Sequence, residues 1–384
     1  MTMDELFFYV PTRILFGLET AARVGQTVAA LGSRALLVTE AILHEEKVTS
    51  GIEENLARAG VSTIVFDALG PESTSSAIER AIEIGRASHV QLVIGLGGIR
   101  SLSAAKCIAR MIPAAKRFDD YFDQPGGEGE PSLPYVEIPT TCRNPFMLTD
   151  ASLVVDARNR RAHLLRVGKR ADRVIIDPAL TLSLSARYTV TTMMDTLLTA
   201  IEAYFSRKST FLSDSLCLRS IGIITSIMDD LSDDPENREL RVRASEAGLL
   251  AAFSLTMSGQ GVGSAIAYAV NGRCMIPKSM VAAVMIPHVL NLAMQAQPKK
   301  VDRIGNVLGE EVYGKPLREF SVRVVDAVRQ RMSLLRLPMR LKDFDLDLND
   351  IAELASVAHA LQASEPGSEH LAVDELSSLV KQAF

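Results

Sequence analysis

The sequence contains no tryptophan, four cysteines and six histidines among its 384 residues. The cysteines, Cys107, Cys142, Cys217 and Cys274, lie far apart and form no CxxC pair. This spacing fits buried thiols in a reducing cytoplasm better than a disulfide framework. No two histidines form a pair with ligand spacing, so the sequence offers no conventional metal motif.

Strong charge of one sign and long apolar runs are also missing. The 41 basic and 46 acidic residues give a net charge of −5 and are interspersed along the chain, so no nucleic-acid partner is expected. No stretch reaches the 18 uninterrupted apolar residues that would cross a bilayer, and residues 1–16 lack the basic front and apolar core of a secretory signal. We expect a soluble, cytoplasmic protein without a membrane partner.

Four short apolar, β-branched runs dominate the first half of the sequence and predict buried strands. An amphipathic stretch over residues 77–87 separates two of them and predicts a helix. Alternation of strand and helix indicates a parallel sheet with both faces covered, as in Rossmann-like domains. The predicted strands are residues 35–40, 62–67, 90–98 and 135–141.

After residue 178 the pattern changes to long amphipathic stretches, which predict an all-helical second half. A chain of 384 residues with 47% hydrophobic content suits two cores. We predict an α/β domain over residues 1–185 and an all-helical domain over 186–384. Residues 125–134 (PGGEGEPSLP) and 363–370 (ASEPGSEH) are predicted loops. The helices of the second half are predicted over residues 189–206, 211–231, 259–271 and 280–295, with further ones over 298–308, 317–332 and 349–361 and from 371.

Four segments carry a resemblance to a known family: residues 95–106 (GLGGIRSLSAAK), 139–141 (PTT), 176–184 (IDPALTLSL) and 195–204 (DTLLTAIEAY). Together they resemble the iron-dependent (group III) alcohol dehydrogenase family. The resemblance implies a nucleotide-binding α/β domain, an all-helical domain and an active site in the cleft between them. It also implies a homodimer formed through the N-terminal strand region.

The cofactor loop, residues 95–106, departs from the family pattern GxGGGSxxDxAK. Ile99 replaces the third consecutive glycine, and its β-branched side chain fits poorly if that position needs positive φ or close phosphate contact. Arg100 replaces the serine, and two readings stay open: its guanidinium clamps the phosphate, or it takes the phosphate's place through a salt bridge to protein. The family residues that remain are Gly95, Gly97, Gly98, Ala105 and Lys106.

Three other residues are candidate contacts for a dinucleotide. Thr140 and Thr141 belong to the second family segment and offer hydroxyl groups to a nucleotide. Glu40, at the end of a predicted strand, suits a ribose 2′-hydroxyl and would repel a 2′-phosphate, so NAD is favoured over NADP; an ordinary surface carboxylate is the alternative. Cys142 follows directly, but the sequence offers no histidine partner for a nucleophile.

The resemblance also locates a metal site whose ligands have changed. The family's aspartate is kept as Asp195, whereas the three histidine positions hold Thr199, Ser264 and Lys278. One carboxylate, two hydroxyls and an ammonium group do not suit Fe²⁺ or Zn²⁺, because a charged lysine only donates hydrogen bonds and repels a cation. We therefore expect no catalytic metal, and we expect Lys278 to neutralise Asp195.

Two interpretations of the altered site remain open. Tyr268 occupies a further active-site histidine position and lies one helical turn after Ser264. With Lys278 these residues could form a metal-independent carbonyl-reducing set, as the same residue types do in short-chain dehydrogenases on another fold. Alternatively, the side chains merely fill and neutralise an inactive cavity.

Three functions follow from these interpretations. The first is an NAD-linked oxidoreductase that interconverts a small alcohol and an aldehyde or ketone without the usual metal. The second is a catalytically silent family member that acts as a ligand-binding, structural or regulatory subunit. The third is a different reaction on the same scaffold, such as that of a lyase or isomerase. The resemblance favours the first, and the lost ligands favour the second.

Overall fold

In the computed structural model of the chain, strands and helices alternate in the N-terminal part, and the remainder is helical. The structure describes residue 6 and residues 8–70, 74–122, 129–309, 317–344, 346–364 and 370–384. Parts of three predictions lie outside these residues: the start of the chain at 1–5, and positions 125–128 and 365–369 of the two predicted loops.

Six parallel strands form the main sheet, in the order β1-β8-β5-β4-β2-β3. The four central strands are apolar and mostly buried on both faces, as expected when helices cover both sides of a parallel sheet. Strands β6 and β7 form a separate antiparallel pair. The strands are β1 (Arg13–Phe16), β2 (Arg34–Val38), β3 (Ser62–Phe66), β4 (Leu92–Gly97), β5 (Tyr135–Pro139), β6 (Ala151–Val155), β7 (Ala162–Arg166) and β8 (Arg173–Ile176).

Helices α1 to α5 connect the strands of the main sheet. The longest two, α4 and α5, bury an apolar face against the sheet, and α5 is buried from Ser101 to Met111. Helix α5 begins where β4 ends, so its N-terminus lies at the carboxyl edge of the sheet, where ligands of such folds bind. These helices are α1 (Val24–Val28), α2 (Ala41–Glu45), α3 (Val48–Arg58), α4 (Ser75–Ala87) and α5 (Ile99–Met111).

The helices after residue 185 pack into a second hydrophobic core. Side-chain caps explain several of their starts: Ser185, Thr210 and Asn237 each accept a hydrogen bond from a backbone N–H of the first turn. The helices are α6 (Ala186–Phe205), α7 (Phe211–Asp233), α8 (Arg238–Leu255), α9 (Val262–Cys274), α10 (Lys278–Ala296), α11 (Pro298–Val307), α12 (Leu317–Leu334), α13 (Ile351–Ala363) and α14 (Val373–Gln382).

The predicted fold class, a Rossmann-like parallel sheet followed by an all-helical part, is confirmed. Strand β8 ends at Ile176 and α6 begins at Ala186, on either side of the predicted boundary near residue 185. The four predicted strands and the main predicted helices are present, with ends shifted by up to three residues. Strands β1 and β8, the β6–β7 pair and helix α8 were not predicted.

Two helices, α7 and α10, are long and apolar enough to cross a membrane by length and composition. Their apolar windows are 44% and 61% buried inside the protein. Core helices of soluble proteins pass the same test, so these two helices are weak evidence for a membrane span.

Candidate active site

The buried carboxylate of Asp195 lies at the centre of the candidate site. Asp195 sits in the middle of α6 and is 0% exposed. Lys278, the first residue of α10, contacts its Oδ1, and Arg143, in the loop after β5, contacts its Oδ2. The contact of Lys278 with Asp195 was expected from the sequence, but the contact of Arg143 was not. We call these three residues the Asp195 cluster.

The loop that carries Arg143 is fixed by hydrogen bonds on both sides of it. Thr141 Oγ1 donates to the carbonyl oxygen of Arg143 over 2.9 Å. Asn144 Nδ2 donates to Oε1 of the buried Glu137 on β5. Burial raises the pKa of Glu137. These contacts hold Arg143 against α6 and explain why it reaches Asp195.

Lys106 holds the next part of the same loop and takes no part in the Asp195 cluster. Its buried ammonium donates to the carbonyl oxygens of Phe146, Thr149 and Ala151 over 2.7, 2.9 and 3.0 Å. Burial lowers the pKa of Lys106, and the three carbonyl groups satisfy its three N–H donors. The family lysine of the cofactor loop is therefore a structural residue in this chain.

Lys278 has an altered acidity and lies against an aromatic ring. Burial, followed by the neighbouring Arg143, lowers its pKa to about 8. Its Nζ lies 4.7 Å from the centroid of the Tyr268 ring, and the guanidinium carbon of Arg143 lies 6.0 Å from the same centroid. Both cations thus lie over the ring of Tyr268, which is a favourable cation–π arrangement. Tyr268 is 2% exposed.

Glu202 is a further site residue that the sequence interpretation missed. It follows Asp195 by seven residues on α6, which places both carboxylates on one face of the helix, and this spacing could have identified it. Its Oε1 accepts hydrogen bonds from the backbone N–H groups of Gly263 and Ser264, over 2.6 and 3.1 Å, at the start of α9. Burial raises the pKa of Glu202.

The residues at the family's metal position do not suit a divalent metal ion. Both carboxylate oxygens of Asp195 already face a cation, and an incoming metal ion would have to displace Lys278 and Arg143. Thr199, one turn after Asp195, and Ser264 add only hydroxyl groups, which are poor ligands unless deprotonated. Among the described residues, no group of three or more His, Cys, Asp or Glu side chains could hold a metal ion.

The cofactor loop begins in the last part of β4 and continues into α5. Gly97 has φ of 138°, which favours glycine, and a Cβ there would lie 2.8 Å from Ser101 Oγ. Ile99 opens α5 and is not among the described residues with positive φ, so the expected backbone conflict does not arise. Instead, its partly buried side chain packs against the hydrophobic core of the helical part.

Glu40 and Arg100 meet at the N-terminus of α5. Glu40 Oε2 accepts from Arg100 Nη2 over 3.2 Å, and its Oε1 accepts from Ser101 Oγ over 3.0 Å and from the backbone N–H of Gly98 over 3.4 Å. Of the two readings of Arg100, the structure shows the salt bridge to protein. A carboxylate therefore lies where a helix N-terminus commonly binds phosphate.

The two predicted nucleotide-binding threonines already have partners within the protein. Thr140 is 2% exposed, and its backbone N–H donates to Gly97 over 3.0 Å. The hydroxyl of Thr141 donates to the backbone of Arg143. Thr140 thus connects the cofactor loop to the loop that carries Arg143, whereas the Thr141 contact lies within that second loop, and a nucleotide would compete with it.

Cys142 lies in the same loop but is packed away from solvent. Its Sγ lies 3.7 Å from the hydroxyl oxygens of Thr192 and Thr196 on α6. Burial raises the pKa of the thiol, which disfavours the nucleophilic thiolate. This environment agrees with the structural role expected for Cys142.

Tyr188, near the start of α6, connects the two groups of charged residues. Burial raises the pKa of its hydroxyl, and the charges of Glu40, Arg100, Arg143 and Asp195 act on that pKa to a smaller extent. The resemblance implies that the cofactor loop and the Asp195 cluster face one cleft, and this stays a prediction.

Comparisons with known proteins show the family of the chain. The profile described as iron-containing alcohol dehydrogenase matches residues 11–178, and the profile of the C-terminal region of the same family matches residues 189–384. The chain is 23% identical over 379 residues to the NAD-dependent methanol dehydrogenase of Bacillus methanolicus, covering 98% of this chain and 99% of that one. It is 25% identical over 387 residues to the 1,3-propanediol dehydrogenase of Citrobacter freundii, covering 98% of each.

Solved structures show the same fold. A 1,3-propanediol oxidoreductase has a TM-score of 0.90 at 23% identity and covers 99% of this chain and 100% of its own. Sulfoacetaldehyde reductase from Bifidobacterium kashiwanohense, solved with NAD+, has a TM-score of 0.85 at 20% identity and covers 99% of each chain. The chain belongs to the iron-containing alcohol dehydrogenase family of oxidoreductases.

Proposed function

We propose that this family member is a metal-independent, NAD-linked oxidoreductase that interconverts a small alcohol and the corresponding aldehyde or ketone. The observation that carries the proposal is the Lys278 ammonium group on Asp195, at the position that the resemblance assigns to the family's metal ion. Lys278 and Arg143 together bring two positive charges to this position, against the single charge of Asp195.

These charges can replace the electrostatic role of a metal ion. Reduction of a carbonyl group builds negative charge on its oxygen, and fixed cations in a buried site stabilise that charge strongly. A lysine with a pKa of about 8 is also a suitable proton donor near neutral pH. The Lys278 ammonium would give one proton to the developing alkoxide, and water would then reprotonate the amine. The nicotinamide, when bound, supplies the hydride.

The choice of NAD rests on two kinds of support. One relative is an NAD-dependent methanol dehydrogenase, and one structural neighbour was solved with NAD+. In this chain the cofactor loop keeps Gly97 in the required conformation, and the N-terminus of α5 already holds an anion, the Glu40 carboxylate. The loop thus still has anion-binding donors that a pyrophosphate could use.

The test is turnover without metal. Protein treated with a chelator is assayed for NADH oxidation with a panel of small aldehydes and ketones, and its metal content is measured in parallel. We expect turnover without bound Fe or Zn, and a loss of about 10²–10³-fold in kcat in Lys278→Met, the size typical of losing a transition-state charge contact. The exposed Lys208 supplies the control, Lys208→Met. Turnover that requires stoichiometric metal, or survives in Lys278→Met, would refute the proposal.

A second candidate function is a catalytically silent subunit. It is favoured by the side chains that crowd the cofactor loop: Ile99 packs into the helical core and Glu40 is paired with Arg100. Absence of NADH binding together with absence of turnover across the panel would favour this candidate.

A further inference from the structure

The Glu40 carboxylate lies at the cofactor loop, against the N-terminus of α5. It accepts from three donors that face the start of α5: the backbone N–H of Gly98, the hydroxyl of Ser101 and the guanidinium of Arg100. The side chain of Glu40 is 19% exposed and that of Arg100 is 33% exposed. This arrangement is therefore partly shielded from solvent.

The electrostatics of this position explain why a carboxylate is stable there. Helix α5 has 13 residues, and the unpaired N–H groups at the start of a helix favour an anion. Arg100 adds a full positive charge beside the same oxygens. Glu40 thus accepts hydrogen bonds from N–H and O–H groups that could otherwise bind a negatively charged ligand.

A phosphate and this carboxylate cannot both use these donors. Two anions in hydrogen-bond contact with the same N–H and O–H groups repel each other strongly in a partly buried position. A pyrophosphate must therefore displace Glu40 from Gly98 and Ser101 before it can bind. Displacement also separates Glu40 from Arg100, and the loss of this salt bridge adds to the free energy that displacement requires.

We infer that Glu40 is a built-in competitor for the phosphate position, and that it sets the affinity of the cofactor loop for pyrophosphate-containing ligands. Applied to NADH, the inference rests on the proposed function; applied to inorganic pyrophosphate, it does not. The inference predicts the opposite effect from a ribose-binding role for Glu40. If Glu40 bound the ribose, its substitution would lower the affinity for NADH. If Glu40 competes with the phosphate, its substitution raises that affinity.

The experiment measures binding of inorganic pyrophosphate and of NADH to the full chain by titration calorimetry. Glu40→Gln keeps the size of the side chain and removes its charge. Glu45→Gln, on the exposed side of α2, removes the same charge away from the loop and is the matched control. Arg100→Gln removes the cation and leaves the carboxylate in place.

We expect Glu40→Gln to bind pyrophosphate about tenfold or more tightly than the wild-type chain and Glu45→Gln, a difference of about 1.4 kcal/mol or more. Arg100→Gln is expected to bind pyrophosphate more weakly than the wild-type chain. Equal or weaker binding by Glu40→Gln, including no binding by any variant, overturns the inference. Tighter pyrophosphate binding without any NADH binding supports the inference and counts against the proposed function.

Discussion

The charge balance around Asp195 depends on which side chains of the cluster are ionised. Lys278 and Arg143 oppose one carboxylate in direct contact, and Glu202 lies near enough to act on Lys278. Removal of one partner from a buried ion pair is costly because it leaves the other charge without compensation. The three members of the cluster are therefore not equivalent, since only Asp195 has two opposite charges in contact with it.

The first prediction follows from that asymmetry. Asp195→Asn leaves two buried cations without their carboxylate and should lower the free energy of unfolding by about 3–5 kcal/mol. Lys278→Met leaves Asp195 paired with Arg143 and should cost less, about 1–3 kcal/mol. Urea unfolding followed by circular dichroism measures both, with Asp233→Asn on the exposed side of α7 as the control. Equal stability of Asp195→Asn and Asp233→Asn would contradict the ion-pair interpretation.

A second prediction concerns the pH dependence of stability. The pKa of Lys278 is lowered from 10.5 to about 8, so between these pH values the unfolded chain binds more protons at this residue than the folded chain. The free energy of unfolding should therefore rise with pH over this interval, by at most about 3 kcal/mol. Unfolding of the wild-type chain is compared with Lys278→Met from pH 7.5 to 10.5, with Lys208→Met as the control. A flat difference across this range would show that Lys278 keeps an ordinary pKa.

The sequence predicted the contact of Lys278 with Asp195, but it did not predict the contacts of Arg143 and Glu202. The contact between Asp195 and Lys278 followed from two family positions that meet in space. Arg143 was not predicted to join them, because its position depends on how the loop after β5 folds back onto α6. Glu202 had a visible signal in its spacing from Asp195, but its acceptance of hydrogen bonds from the start of α9 depends on helix packing.

At the scale of elements, the loop after β5 is held between α6 and α8. A Cβ added at Gly248, in the middle of α8, would clash with the carbonyl oxygen of Cys142 and lie 2.8 Å from its carbonyl carbon. Only glycine lets the helix approach the loop backbone this closely. Gly248 therefore determines where the loop lies and, through it, where Arg143 lies.

A third prediction tests this packing. Gly248→Ala should lower the free energy of unfolding by about 1–3 kcal/mol or more, because the backbone of the loop must move. Gly51→Ala in α3 is the matched control, since a Cβ there meets nothing within 4 Å. That control should stabilise the protein by about 0.5–1 kcal/mol through higher helix propensity. The interpretation fails if both substitutions stabilise the chain when compared by urea unfolding.

The strength of each local pattern explains which elements the sequence predicted. Strands β2, β3, β4 and β5 are mostly apolar runs and were predicted. Strands β1 and β8 have four residues each and begin with arginine, so no such run marks them. Helix α8 has a weak amphipathic pattern because small residues along it pack against α7 and the loop after β5.

At the scale of the whole molecule, the two charged groups singled out by the resemblance are each paired within the protein. The carboxylate of Glu40 is paired at the start of α5, and the ammonium group of Lys278 is paired with Asp195. If these are the phosphate and metal positions that the resemblance implies, we expect ligand affinity to depend on how readily the two side chains are displaced.

The open edge of the main sheet leads to the last prediction. Within the part of the chain that the structure describes, strand β1 is an edge strand, and an unpaired strand edge readily pairs with another chain. The backbone N–H groups of Arg13 and Gly17 point towards β8. Successive residues of a strand alternate in direction, so the backbone N–H of Phe16 points away from β8, to the open side of the sheet. Phe16 is also 36% exposed, and the nearby Tyr9 is 71% exposed. We therefore expect a homodimer that pairs through β1.

Light scattering after size exclusion should accordingly give about twice the chain mass of 41.7 kDa. Phe16→Pro removes the outward N–H without removing a bond to β8, and should shift the protein towards the monomer while circular dichroism stays unchanged. Phe211→Ser replaces a 77% exposed aromatic residue at the start of α7 and should leave the dimer intact. A monomeric wild-type chain, or a dimer that persists in Phe16→Pro, would exclude pairing through this edge.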